Sequence, residues 1–256
     1  MNNNSLLNIN ARLAEKILID GKEEEFRVLL ALKKVAGGNG GYFWPTTELK
    51  KKLCGICGWR SMRTATRKIK RLRQIGWVGT DDKGRHYVRS FSCLLNQYNV
   101  KSDSVHQLSV EFCVESKQRM KATLFSVALG KIIANRHFAL VRQNATHVST
   151  GRGSYSYKPG QGEKHSPSDI SVSFLANRLG KAKATIHRWK HLAMKLGMIK
   201  RSKRHFKFPG TTDVKAVRSA FPEDSHRTYL SSDKGCVAIQ LTDELGVELK
   251  YKSRQQ

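Results

Sequence analysis

The segment FLANRLGKAKATIHRWKHLAMKLGMI, Phe174 to Ile199, decides how this chain is read. Ala176 and Gly180 stand four residues apart, Ile186 follows six later, and Leu196, Gly197, Met198 and Ile199 close the run. Two helices joined by a tight turn account for that spacing. Ala176 lets a second helix cross close to the first, and Gly180 supplies the permissive backbone of the turn. The second helix starts near Lys183 or Ala184 and places Ile186, Trp189, Ala193 and Leu196 at steps of three and four on one buried face. Its opposite face offers Thr185, His187, Arg188, His191 and Lys195 to an outside partner.

Charge says what that partner is. Lys and Arg number 47 against 20 acids, a formal net charge of +27 over 256 residues. A soluble chain of that charge associates with polyanions, of which nucleic acid is the commonest. Membrane binding competes for the same charge, but no apolar run approaches the ~18 residues of a spanning helix. The start, MNNNSLLNINARL, is polar and lacks the apolar core of a secretory signal. Five cysteines without such a signal fit a reduced interior, so a cytoplasmic, nucleoid-associated protein is expected. Cys54 and Cys57 make one Cys-x-x-Cys where a structural zinc would want a second pair, so they read as small apolar side chains.

The pattern occurs twice. Phe26, Leu29, Leu30 and Leu32 suit a helix whose N-terminus is favoured by Glu23 to Glu25. The glycines from 37 to 41 end it, YFWP forms a short strand, and Thr46 or Thr47 caps a helix carrying Leu49 and Leu53. After a turn read at Gly55 to Gly58, Ser61 caps a third helix with Met62, Ala65, Ile69, Leu72 and Ile75 on its apolar side. Its other side holds Arg60, Arg63, Thr64, Arg67, Lys68, Lys70 and Arg71. IGWV, ending at Val78, matches LGMI, and the tip DDKG with the return RHYVRSF reads as a hairpin. In the second copy the hairpin is expected over Ile199 to Phe208, returning through Phe206 and Phe208, after a buried leading helix over Ala122 to Leu140.

Helix, strand, helix, helix, hairpin resembles the winged-helix branch of the helix-turn-helix superfamily. Tandem copies in one basic chain resemble plasmid replication initiators. The expected fold class is mainly α with small β wings (α+β), in two winged-helix domains. The expected divisions are an N-terminal arm (1–22), domain 1 (23–100), a linker or strand (101–120) with QLSVEFCV alternating, domain 2 (121–209) and a C-terminal extension (210–256). Domain 2 carries a mobile insertion over 142–168, and the extension holds CVAIQL and a short helix from Thr242 to Leu249.

The resemblance implies that the N-terminal half of each third helix approaches base edges in a major groove. The expected base readers are Arg63, Thr64 and Arg67, with Lys183, Thr185, His187 and Arg188. Arg60, Lys68, Lys70, Arg71, Lys190 and Lys195 lie nearer phosphates. The wing residues Lys83, Arg85, Arg89, Lys200, Arg201, Lys203 and Arg204 hold flanking backbone. Arg152, Tyr155, Tyr157 and Lys158 of the insertion are further backbone candidates, since its glycines lack the order of a P-loop. Trp77 and Trp189 are expected in the core.

No paired carboxylates or nucleophile constellation stands out, and His187 and His191 at i, i+4 would need a third ligand to hold a metal. The expectation is a non-enzymatic protein with no cofactor whose partner is double-stranded DNA. A second copy, or other replication or transcription proteins, are further candidate partners. It would serve replication of a plasmid or other mobile element; a transcriptional regulator and a structural RNA-binding component are the alternatives. With roughly eight phosphates engaged, log affinity would fall against log salt with slope about −7.

Overall fold

The computed structural model describes residues 6–36, 41–101, 105–109, 113–148, 168–203, 205–208, 213–220, 228–230, 236–240 and 244–249. These residues are mainly helical, with small antiparallel sheets.

The first half opens with β1 (Leu6–Asn10) and α1 (Ala11–Asp20). Asn10 caps α1, its Oδ1 accepting from the N–H groups of Arg12 (3.0 Å) and Leu13 (3.1 Å). Ala11, Leu13, Ala14, Ile17 and Leu18 are buried, so the segment expected as an arm carries a core helix. There follow α2 (Glu23–Val35), β2 (Tyr42–Phe43), α3 (Thr47–Cys57), α4 (Met62–Gln74), β3 (Val78–Thr80), β4 (His86–Val88) and α5 (Phe91–Gln97). Thr46 caps α3 and Ser61 caps α4, each hydroxyl accepting a backbone N–H at 3.2 Å. Strands β2, β3 and β4 form one sheet in the order β2-β4-β3, and β5 (Val105–Ser109) pairs with β1.

Gly55 lies inside α3, and the turn before α4 is made by residues 58 to 61, with Gly58 at φ 66°. Leu53, at the centre of α3, and Cys57, in its last turn, are both buried. That burial carries the helix through a glycine that costs about 1 kcal/mol against alanine. The two inter-helix turns are therefore of nearly equal length, residues 58–61 in the first half and 180–182 in the second.

The second half has α6 (Lys117–Val148), β6 (Ser168–Asp169), α7 (Val172–Leu179), α8 (Lys183–Lys195) and β7 (Ile199–Ser202). Helix α6 is longer than expected at both ends and takes in residues 142–148 of the proposed insertion. Residues 149–167, with Arg152, Tyr155, Tyr157 and Lys158, lie outside the described residues. Gly180, at φ 59°, closes α7 as the sequence requires.

Both third helices end alike. Trp77 N–H donates to the Leu72 carbonyl and Met198 N–H to that of Ala193, each at 2.9 Å. Gly76 and Gly197 take left-handed φ of 75° and 69° between them. The residue after each glycine, Trp77 or Met198, is then driven into the core.

The second hairpin differs from expectation. Strand β7 pairs with β11 (Glu244–Val247), giving the order β6-β11-β7. Strand β8 (His205–Phe208) instead pairs with β10 (Val237–Gln240), which also pairs with β9 (Thr228–Leu230). From Gln240↔His205 to Glu244↔Ser202 one side advances four residues and the other three. The helix expected over Thr242–Leu249 is thus replaced by strand β11, which supplies the return the sequence assigned to Phe206 and Phe208. A short helix, α9 (Val214–Ala220), packs beside β9, and Val217, Val237 and Ile239 form a small separate core.

One hydrophobic cluster otherwise runs through both halves, from Ile9 to Leu245. Helix α1 joins them, touching α2 in the first half and α6 and α7 in the second. Glu15 pairs with Arg178 at 2.9 Å, and the Lys181 ammonium donates to the Ile19 carbonyl at 3.0 Å, fixing α7 to α1. Trp77 meets Phe26 edge-on, centroids 6.2 Å apart, and Trp189 meets Phe125 at 6.0 Å. Each third helix or its end is thereby anchored on the leading helix of its own half.

Candidate nucleic-acid interface

Helix α4 has the sharper division of faces. Ala65, Ile69 and Leu72 are buried, while Arg63, Thr66, Arg67, Lys70, Arg73 and Gln74 are exposed. Arg63, Arg67, Lys70 and Gln74 follow at steps of four, three and four, which lines them along one face. Arg60 is exposed just before the cap, and Thr64 is half-buried at the edge of the packed side. Thr66, Arg73 and Gln74 belong to this surface and were missed from sequence, though their spacing from Arg63 and Arg67 was there to read.

Three cations assigned to phosphates are engaged within the protein. Lys68 Nζ lies 3.9 Å from Glu24, and Arg71 Nε lies 3.8 Å from Glu25. The acidic turn that starts α2 thus faces the flank of α4 as well as its own helix dipole. Glu24 is also held by Arg27, whose guanidinium makes two 2.9 Å bonds to its carboxylate and donates to the carbonyls of Val114 (2.9 Å) and Cys57 (3.2 Å). In the wing, Arg85 Nε donates to Asp81 at 2.8 Å and its guanidinium lies 4.6 Å from the Tyr42 ring centroid. Lys83 and Arg89 remain exposed.

Helix α8 exposes Lys183, His187, Arg188, His191 and Lys195, with Thr185 half-buried. The Arg188 guanidinium folds along its own helix, within 3.5 Å of Thr185 Oγ1 and 3.4 Å of the Ala184 carbonyl. Lys190 is only 9% exposed, which sets it apart from the exposed cations of α8 among which it was expected to meet phosphates. Its aliphatic stem suits a half-apolar site that charge alone does not advertise. Lys200 and Lys203 are exposed, Arg201 is half-buried, and Arg204 lies outside the described residues.

The two halves differ in electrostatics. Residues 23–100 hold 16 Lys and Arg against six acids, and three of those acids, Glu24, Glu25 and Asp81, take up the cations just named. Residues 121–209 hold 18 against two, Glu163 and Asp169. Helix α4 offers the better ordered row of guanidinium groups, since Arg188 of α8 folds along its own helix.

Cys57 is buried in α3, and burial pushes its thiol up to about 11. A thiol held protonated is a poor metal ligand at neutral pH. Among the described residues no group of three or more His, Cys, Asp or Glu side chains could hold a metal. No helix among them is long and apolar enough to cross a membrane. No family model, curated protein or solved structure matches the chain.

Proposed function

We propose that this chain binds duplex DNA through two winged-helix modules, with α4 and α8 as the helices that enter major grooves. The observation that carries the reading is the outward row Arg63, Arg67 and Lys70 on α4, backed by buried Ala65, Ile69 and Leu72. It sits at the third helix of a helix, strand, helix, helix, hairpin order whose sheet runs β2-β4-β3. The repeat of that order, with the same glycine-closed helix end, supports a second module in which β11 stands in for the hairpin return. Guanidinium groups in such a row can each give two hydrogen bonds to guanine, while Lys195, Lys200 and Lys203 neutralise phosphates.

Two modules repeated on one strongly basic chain support a replication initiator or accessory factor of a plasmid or mobile element acting at the nucleoid. The test is binding to duplex DNA by fluorescence anisotropy across salt. About eight phosphate contacts give a log–log slope near −7, so a fourfold rise in salt weakens binding on the order of 10⁴-fold. A slope near zero, or preference for an acidic protein over duplex DNA at equal charge, refutes the proposal.

A further inference from the structure

The sheet β2-β4-β3 has an outer face with its own chemistry. Alternation along the strands puts Tyr42 and Trp44 on that face from β2, Arg85, Tyr87 and Arg89 from β4, and Gly79 from β3. Phe43, His86 and Val88 point the other way and are buried. Tyr42 and Trp44 are 55% and 52% exposed, unusual for rings this large. Tyr42 and Tyr87 are direct partners across the strands, centroids 5.8 Å apart, and the Arg85 guanidinium covers Tyr42.

Gly79 makes the platform possible. It is paired with Tyr87, and a Cβ there would collide with the Tyr87 ring, so glycine lets the tyrosine lie down over β3. Gly84, at φ 77°, supplies the left-handed turn of the hairpin tip, and the Trp44 ring edge lies in ordinary contact range of it, 3.8 Å from where a Cβ would stand. A cleft of about 310 Å³ opens beside the two exposed rings, lined by Val35, Phe43, Leu49 and Lys52 among others.

We propose that this face stacks unpaired bases, making the first module a binder of single-stranded nucleic acid on a surface distinct from α4. Aromatic rings laid on a small sheet with guanidinium groups between them accept the faces of any bases, and the chain's net charge of +27 draws the strand. Arg89 and Lys83 are the cations at the rim for its phosphates, against two exposed acids, Asp82 and Glu48, the latter lining the cleft and paired with Lys52 at 2.7 Å. The ligand is recognised by base faces and a phosphodiester chain, which single-stranded DNA and RNA share.

The test titrates the full chain, and its Trp44→Ala, Tyr42→Ala and Arg67→Ala variants, with labelled 20-mers of oligo-dT and oligo-rU and with a 20-base-pair duplex. Each ring removed is expected to weaken single-strand binding on the order of tenfold while duplex affinity and melting temperature stay unchanged. Arg67→Ala should do the reverse. Trp44→Phe keeps a stacking ring and should bind within about threefold of the parent, while the quenching of indole emission on binding is lost. The dT and rU arms show which sugar is preferred, and binding of either supports the proposal. Unchanged single-strand affinity in both ring variants overturns it, as does a parallel loss on duplex. A change in oligomeric state with no change in oligonucleotide binding also overturns it and assigns the face to a second copy. A failed duplex arm with intact single-strand stacking refutes only the groove-binding reading.

Discussion

Ile17→Ala is the substitution that asks whether α1 makes the two halves one folding unit. Ile17 is fully buried in the helix that touches α2 on one side and α6 and α7 on the other. Removing three carbons forfeits about 2.4 kcal/mol of transfer free energy at ~0.8 kcal/mol per methylene. A residual cavity of roughly 50 Å³ adds about 1.2 kcal/mol, and alanine's better helix propensity returns about 0.4. The net loss is about 3 kcal/mol, or a fall in Tm on the order of 10 °C. Trp77 and Trp189 report the halves separately, each in ring contact with the leading helix of its own half. Two backgrounds, one keeping only Trp77 and the other only Trp189 with phenylalanine at the remaining positions, are unfolded in urea with and without Ile17→Ala. The shared core predicts the same loss in both. A loss confined to one tryptophan, or two separate transitions in one chain, would refute the reasoning.

Three further outcomes follow from particular residues. Lys190→Met should leave duplex affinity within about twofold, because its side chain is buried, whereas Lys195→Ala and Lys200→Ala should each lower the salt slope by about one. Burial beneath the Phe91 ring, 4.7 Å away, lowers the Lys33 amine from 10.5 to about 8. The unfolded chain then holds the proton that the folded chain has lost, so this group raises stability with pH from 8 upward, until the Cys57 thiol opposes it above about 9. Chemical denaturation at pH 7.5 and 9 should show that rise in the parent and a flatter profile in Lys33→Met. Under native conditions at pH 8, a maleimide should label exposed Cys93 rapidly and leave Cys57, Cys113 and Cys236 unreacted until denaturant is added, as mass spectrometry after trypsin would show.

Local signals in the sequence carried the helices and their ends. Thr46 and Ser61 cap where they were read, Gly180 turns α7 into α8, and the matched IGWV and LGMI end the third helices by the same bonds. Such features depend on neighbours within five residues. What escaped was set by residues far apart in sequence. Strand β11, some 40 residues beyond β7, takes the place of a hairpin return, and nothing in its own pattern distinguishes the strand ELGV from a helical turn. The engagement of Lys68 and Arg71 by Glu24 and Glu25, the burial of Lys190, and the core role of α1 all depend on which helix lies across from which. The aromatic outer face of β2 and β4 was legible only in part. Tyr42 and Trp44 stood in YFWP, but the contact of Tyr42 with Tyr87 and Arg85 is a product of strand register.

The most direct test of the central claim is a selection from random duplex DNA, run with the parent, with Arg63→Ala plus Arg67→Ala, and with Lys183→Ala plus Arg188→Ala. The account predicts one enriched site with two parts about a helical turn apart, the α4 variant losing preference in one part and the α8 variant in the other. Enrichment of no duplex motif, or loss of the whole site from either pair alone with no change from the other, would contradict two groove-reading helices on this chain.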